Sequence, residues 1–126
     1  MHELLPATLD SVATARRAVR EFAEPLEVDV DGMVLAVSEA VANVVSHAYL
    51  EGAYGVVDLR AAASPFEVTV TVRDQGRGLA EARESEGAGY GLLIIRRVAQ
   101  HVELADTKDG VSLTMGFRRG GAWSAA

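Results

Sequence analysis

Residues 74–92 read Asp-Gln-Gly-Arg-Gly-Leu-Ala-Glu-Ala-Arg-Glu-Ser-Glu-Gly-Ala-Gly-Tyr-Gly-Leu, with five glycines in this one stretch. Glycine permits positive φ angles and lets a ligand approach the backbone, at a cost of about 0.5–1 kcal/mol relative to alanine within regular structure. The second group of glycines opens a helix pattern that begins near Gly91. Because a helix N-terminus offers free N–H groups to an anion, the stretch predicts a loop that binds phosphate.

The segments on either side of this loop have clear periodicities. Before it, apolar and polar residues alternate from Phe66 to Arg73, and the strand delivers Asp74 at its end. Period two with one polar face is typical of a sheet that is covered on one side only. After the loop, apolar residues at helical spacing predict a helix to about Ala99.

A second helix is predicted from about Asp31 to Leu50. One side of it carries an apolar stripe, which consists of Val34, Val37, Val41, Val44, Val45 and Ala48. On the far side, Glu39, Asn43 and His47 recur every four residues, a spacing that stacks side chains on one helical face. Their neighbours on that face are small or apolar, which favours a functional site. A solvated polar face remains the alternative.

The rest of the chain adds one helix and further strands. The helix runs from about Asp10 to Ala23, and its Arg16, Arg17 and Arg20 form either a solvated face or a docking surface for an acidic partner. The strands are predicted at residues 1–7, 55–63, 101–105 and 111–117. Strands with one polar face require the helices to share the other face. The predicted fold is therefore an α+β two-layer sandwich with a mixed, mostly antiparallel sheet and three helices on one face. It forms a single domain over residues 1–119, and residues 120–126 form a flexible tail.

Composition excludes several classes of site and partner. The chain has 126 residues, a net charge of −6 and no cysteine, which excludes disulfides and thiolate metal sites. An acidic balance argues against nucleic acid as the main partner. No apolar run approaches the length of a membrane helix and no signal peptide is visible, so we expect a cytoplasmic protein without membrane contact. The glycines match neither the Walker A loop nor the Rossmann spacing.

The order of the motifs resembles the GHKL ATP-binding fold, also called the Bergerat fold, of gyrase, Hsp90, histidine kinases and MutL. The motifs are a helix with Glu39 and Asn43, a strand that ends in Asp74-Gln-Gly-Arg-Gly, and a helix that opens with Gly-Ala-Gly-Tyr-Gly-Leu. Within this fold the chain is most similar to the small anti-sigma factor serine kinases of the RsbW and SpoIIAB type. Residues 38–49 look like the N-box of these kinases, and the resemblance extends from about Leu5 to Phe117.

The resemblance implies a role for each matching position. Asn43 would hold the Mg²⁺ that bridges the phosphates of ATP, and Asp74 would accept a hydrogen bond from the adenine amino group. Glu39 would be the general base, with the alternative that it only orients a water or a neighbouring side chain. His47 matches a histidine of the family whose role is open, and residues 79–89 would form a lid over ATP. The remaining ATP-binding positions implied are Gly76, Gly78, Gly87, Gly89, Tyr90, Gly91 and Leu92.

The implied function is that of an ATP-dependent serine/threonine kinase and anti-sigma factor. Such a protein would phosphorylate an anti-anti-sigma partner of the STAS fold, sequester a sigma factor and form a homodimer. A non-catalytic ATP-binding module that regulates a partner by binding alone is the alternative. One difference from the family's pattern bears on this alternative. The family often has Gly-Thr before the last strand, whereas this chain has Gly110-Val111, which lacks the hydroxyl.

Overall fold

The computed structural model describes residues 1–48, 55–75, 88–107 and 109–120. Five strands and three α-helices lie in these segments. In chain order they are β1 (His2–Pro6), α1 (Leu9–Ala23), α2 (Val30–Asn43), a π-helical turn (Val44–Ala48), β2 (Val56–Ala63), β3 (Glu67–Arg73), α3 (Ala88–Val98), β4 (His101–Thr107) and β5 (Gly110–Arg118).

The strands form one sheet in the order β1-β2-β3-β5-β4, and all four neighbouring pairs are antiparallel. Strand β3 is central, and Val70 on it lies opposite Met115 on β5. Both of these side chains are fully buried. The two-layer prediction is confirmed, with an antiparallel arrangement in every described strand pair.

The core lies between the sheet and the helices. Buried residues alternate with more exposed ones along the central strands, as expected for a sheet with one covered face. Val68, Val70 and Val72 on β3 are buried, as are Leu113, Met115 and Phe117 on β5. They share one core cluster with buried residues of all three helices. The opposite face of the sheet, which no described helix covers, carries polar residues such as Thr71 and Thr114, whose hydroxyl oxygens are 3.3 Å apart across the strands.

Helix α2 is the central helix of the covering layer. It contacts α1, α3 and β3, and seven of its residues are buried. Asp29 caps its N-terminus, where the carboxylate accepts a hydrogen bond from the Gly32 N–H at 3.0 Å. No helix within the described segments is long and apolar enough to cross a membrane.

Several predicted boundaries differ from the observed ones. Phe66 was predicted to begin the buried stripe of β3, but it is 65% exposed in the preceding turn. The Ser64 hydroxyl accepts hydrogen bonds from the N–H groups of Phe66 and Glu67, so the strand begins one residue later. Helix α3 begins at Ala88, before the predicted start near Gly91. The predicted tail lies outside the described residues from residue 121 onwards.

An ion-pair cluster on the open face of the sheet predicts an acid-sensitive contribution to stability. Burial raises the pKa of Asp58, but hydrogen bonds and charge from Arg60 and His2 outweigh it, so the pKa of this carboxyl is lowered overall. A carboxyl with a lowered folded-state pKa stabilises the fold above its unfolded-state pKa. This stabilisation is lost as the pH falls through the folded-state value.

Asp58→Asn will therefore lower the free energy of unfolding near neutral pH, and the difference from the wild type will vanish in acid. Urea denaturation at a series of pH values measures this difference. Asp106→Asn, which changes an exposed aspartate of β4, is the matched control. A wild-type advantage over Asp58→Asn that persists unchanged into acid would contradict the prediction.

Candidate functional site

The site is built around the C-terminal half of α2. Glu39 and Asn43 are half-buried and lie four residues apart, so they share one face of the helix. Ala36 and Ala40, on the same side of the helix as Asn43, are almost fully buried. The small residues on this face allow close packing around the two polar side chains, whose functional roles stay a prediction.

A π-helical turn follows Asn43 directly. The turn runs from Val44 to Ala48 and includes the backbone of His47, whose side chain is outside the described part of the structure. A π-turn bonds i to i+5 and is wound more loosely than an α-helix, and such turns occur frequently at functional sites. The four-residue spacing that relates Glu39 to Asn43 in α-helical geometry therefore does not continue in that geometry to His47.

The first turns of α3 pack directly on Asn43. Gly91 is buried, and a Cβ placed on it would lie 2.8 Å from Nδ2 and 3.1 Å from Oδ1 of Asn43. Any side chain at this position would push the amide away. The tertiary structure thus brings the helix with Glu39 and the first turns of the glycine-rich helix together.

Asp74 lies just beyond the end of β3, under the helical layer. It is only 4% exposed, and Ser11 is the other buried polar residue within the described segments. The backbone N–H of Asp74 donates a hydrogen bond to the Val111 carbonyl at 2.9 Å, which extends the pairing of β3 with β5 by one residue. A buried carboxylate is costly unless it has hydrogen-bond partners, and no buried side-chain nitrogen or oxygen within the described residues lacks one. The role of Asp74 in binding adenine stays a prediction.

Gly110 was not among the predicted site residues, although the sequence places it before Val111 at the position of the family's Gly-Thr pair. It has φ of 131°, a region open essentially to glycine alone. A Cβ on it would lie 1.9 Å from the Asp74 carbonyl oxygen and 2.8 Å from the Gln75 Cα. Gly110 therefore allows the chain after β3 to pass close to the start of β5. The Asp109-Gly110 pair was the available sequence signal.

The predicted site residues divide into three groups. Glu39, Asn43, Asp74, Gly91 and Leu92 are described, and Leu92 is partly buried against the core. Only the backbone is described for Gly89 and Tyr90, in the first turn of α3, and for His47, in the π-helical turn. Gly76, Gly78 and Gly87 lie outside the described residues, as do residues 79–87 of the lid predicted over residues 79–89. The last two lid residues, Ala88 and Gly89, begin α3.

The described residues fit a nucleotide with a divalent metal ion. Gly91 lets the Asn43 side chain pack against the first turns of α3, where a Cβ would meet its amide. The Asn43 amide oxygen is a hard ligand of the kind that Mg²⁺ takes alongside phosphates. Glu39 is one helical turn away from Asn43 and is partly open to solvent. No cluster of three or more His, Asp or Glu side chains within the described residues could bind a metal. A magnesium ion here would therefore depend on Asn43 together with the phosphates.

Comparison with known proteins gives consistent matches. The family model described as "Histidine kinase-like ATPase domain" matches residues 5–117. An anti-sigma F factor of Heyndrickxia coagulans is 33% identical in an alignment 110 residues long, and the match covers 75% of this chain and 75% of that protein. An anti-sigma F factor of Caldanaerobacter subterraneus subsp. tengcongensis is 30% identical in an alignment 107 residues long, and the match covers 74% of each chain.

Solved structures share the fold. The RsbU and RsbW domains of a Mycobacterium tuberculosis protein match with a TM-score of 0.69 and 24% identity, covering 94% of this chain and 32% of that one. The histidine kinase domain of the Erythrobacter litoralis EL346 blue-light activated histidine kinase matches with a TM-score of 0.60 and 26% identity, covering 71% of this chain and 44% of that one. The chain thus spans about a third of the first solved chain and under half of the second.

Proposed function

This chain belongs to the histidine kinase-like ATPase family, in the branch that contains the anti-sigma F factors, and on that premise we propose that it is a protein serine/threonine kinase dependent on ATP and Mg²⁺. Its substrate is a serine or threonine of a STAS-fold anti-anti-sigma protein. The protein also sequesters a sigma factor. The observation that carries the proposal is the contact between Asn43 and Gly91, with Glu39 one turn away on the same helix.

The proposal gives Asp74, Asn43 and the backbone near Gly91 separate roles in binding ATP. The Asp74 carboxylate accepts a hydrogen bond from the adenine amino group and orients the base. The amide oxygen of Asn43 holds Mg²⁺, which when bound neutralises charge on the phosphates. The backbone at the start of α3, near Gly91, donates N–H groups to phosphate oxygens. Phosphoryl transfer needs mainly positioning and neutralised charge, so this small set suffices.

Glu39 acts on the partner protein. Its carboxylate takes the proton of the attacking hydroxyl as the hydroxyl oxygen bonds to the γ-phosphorus. The bond from that phosphorus to the bridging oxygen breaks, and ADP leaves with the electron pair. The products are the phosphorylated partner and ADP.

Transfer of phosphate from ATP to a purified STAS-fold protein tests the proposal directly. We expect phosphoserine or phosphothreonine on this protein after incubation with the kinase, ATP and Mg²⁺, detected by mass spectrometry of the intact protein and its peptides. The control omits Mg²⁺. Stoichiometric binding of ATP and of the STAS-fold protein with no phosphorylated product would contradict the kinase proposal.

One observation favours a second candidate, a non-catalytic ATP-binding module that regulates its partner by binding alone. Val111 is buried at 3% exposure beside Asp74, where the family often supplies a threonine hydroxyl. An apolar side chain at this point offers no hydrogen bond to a nucleotide. The transfer experiment distinguishes the two candidates, because only the kinase yields a phosphorylated partner.

Asn43→Ala will remove the Mg²⁺ dependence of ATP binding. Calorimetric titration should show the affinity in Mg²⁺ falling about tenfold or more, since losing a group that holds a metal costs at least this much. The affinity without Mg²⁺ should change little. Ser46→Ala alters an exposed residue of the following π-turn and is the matched control. Unaltered Mg²⁺ dependence in Asn43→Ala would exclude Asn43 as the metal ligand.

A further inference from the structure

Val111 lies directly opposite Asp74 at the end of the sheet. The register of β3 and β5 places Arg73 opposite Ser112, and one residue further on the Asp74 N–H bonds to the Val111 carbonyl. Residues directly opposite each other in an antiparallel pair have their side chains on the same face, with Cβ atoms about 4.5–5.5 Å apart. Asp74 and Val111 are both buried, so their side chains lie together on the covered face of the sheet.

The Val111 side chain is set apart from the core. The other buried apolar side chains of β5, at Leu113, Met115 and Phe117, belong to the core cluster of the described residues. Val111 is buried without belonging to that cluster. Its side chain is therefore part of the surroundings of the Asp74 carboxylate.

The two cross-strand neighbours of Val111 are both aspartates. Asp74 lies on the β3 side, and the register of β4 and β5 places Asp106 on the other side. An ionised carboxylate accepts hydrogen bonds and donates none, and a valine side chain does neither. This line of three residues across the sheet therefore offers acceptors and apolar surface, but no side-chain donor.

Adenine carries a donor and an acceptor side by side on the edge that includes its amino group. The 6-amino group donates hydrogen bonds, and the adjacent ring nitrogen N1 accepts them. When the Asp74 carboxylate accepts a hydrogen bond from the amino group, N1 faces the surroundings of that carboxylate. The cross-strand residues there supply no side-chain donor for N1.

We propose that Val111 restricts recognition of the base to its 6-amino group and leaves N1 of adenine without a hydrogen bond from the protein. The inference rests on the proposed function in that Asp74 binds the adenine amino group. Val111 is then a residue that determines base specificity. The site selects for an amino group at position 6 and does not distinguish nitrogen from carbon at position 1.

Two analogues, each changed at one of these positions, test the inference. 1-Deaza-ATP has a C–H group in place of N1, and purine riboside triphosphate lacks the 6-amino group. In calorimetric titrations with Mg²⁺, the wild-type protein should bind 1-deaza-ATP within about threefold of its affinity for ATP, since no hydrogen bond is lost. It should bind purine riboside triphosphate about tenfold more weakly or worse, because a hydrogen bond to a charged group is lost.

Val111→Thr places a hydroxyl of nearly the same shape at this position, and a hydroxyl can donate to N1. The variant should therefore prefer ATP to 1-deaza-ATP by about three- to tenfold more than the wild type does, as one neutral hydrogen bond contributes. Comparing two ligands on two proteins isolates that single contact.

Val56→Thr makes the same change at the start of β2 and is the matched control. It should keep the wild-type ratio of the two affinities. Valine and threonine both favour strands, so both variants should fold, which a thermal melt checks. The measurements on the wild-type protein test the inference without either variant.

A wild-type protein that prefers ATP to 1-deaza-ATP by more than about threefold overturns the inference, because N1 then receives a hydrogen bond. So does a Val111→Thr protein with the wild-type ratio, because Val111 then does not face N1. Equal binding of ATP and purine riboside triphosphate overturns both the inference and the role of Asp74. Failure of the kinase proposal alone would appear as absent phosphate transfer with the expected order of affinities intact, so the two failures are distinguishable.

Discussion

Gly110→Ala will destabilise the fold by about 3 kcal/mol, from the sum of backbone strain and overpacking. The native φ of 131° is unfavourable for any residue with a side chain. The added Cβ would also lie 1.9 Å from the Asp74 carbonyl oxygen. Both effects act on backbone atoms, which cannot rotate away as the end of a flexible side chain can. Urea denaturation with a two-state fit measures the loss.

The same substitution will impair the candidate site at temperatures where the variant is still folded. The Asp74 backbone must shift to make room, and Asp74 is the residue proposed to bind adenine. We therefore expect weaker ATP binding by calorimetry in addition to lower stability.

Gly120→Ala is the matched control for both measurements. Its added Cβ meets only the Glu27 carbonyl oxygen at 3.7 Å, which is ordinary van der Waals contact. Its stability should stay within about 0.5 kcal/mol of the wild type. If Gly110→Ala were as stable as Gly120→Ala, the close approach of β5 to Asp74 would be refuted.

Glu39→Gln will lower the rate of phosphate transfer by about 10²–10⁴-fold, the range that general-base catalysis contributes. Glutamine has the same shape as glutamate, but its amide is too weak a base to accept the proton of the attacking hydroxyl. Because Asn43, Asp74 and Gly91 are untouched, ATP binding should remain close to that of the wild type. Single-turnover transfer of labelled phosphate to a STAS-fold protein measures the rate, and calorimetry measures the binding.

Glu21→Gln makes the same chemical change at an exposed position of α1 and serves as the control. It should transfer phosphate at the wild-type rate. If Glu39 only orients a water or a neighbouring side chain, Glu39→Gln will lose less than about tenfold, because its amide can still accept and donate hydrogen bonds. A variant that transfers at the full rate would remove Glu39 from the mechanism.

The two-layer fold was predictable because its pattern is local. Alternation along β3 and β5 identifies a sheet with one covered face, and the stripe on α2 identifies the helix that covers it. The wrong placement of Phe66 has an equally local cause, since a hydroxyl of Ser64 competes for the backbone at the turn. That Glu39 and Asn43 share one helical face was predictable for the same reason, because they are four residues apart on one helix.

The resemblance to the ATP-binding family was also visible in the sequence, because its motifs are contiguous. The comparisons confirm this family. The individual roles of Glu39, Asn43 and Asp74 stay predictions, and the experiments above test them.

The periodicity of each element, the covered face of the sheet and the order of the motifs can be read from the amino-acid sequence, because they depend on neighbours in the chain. The pairing of β5 with β3, through which Gly110 meets Asp74, and the packing of α3 on α2, through which Gly91 meets Asn43, are visible in the folded protein alone. The same holds for the π-turn after Asn43. These contacts join residues far apart in the chain, and their geometry depends on how all the layers pack together, which no local pattern encodes.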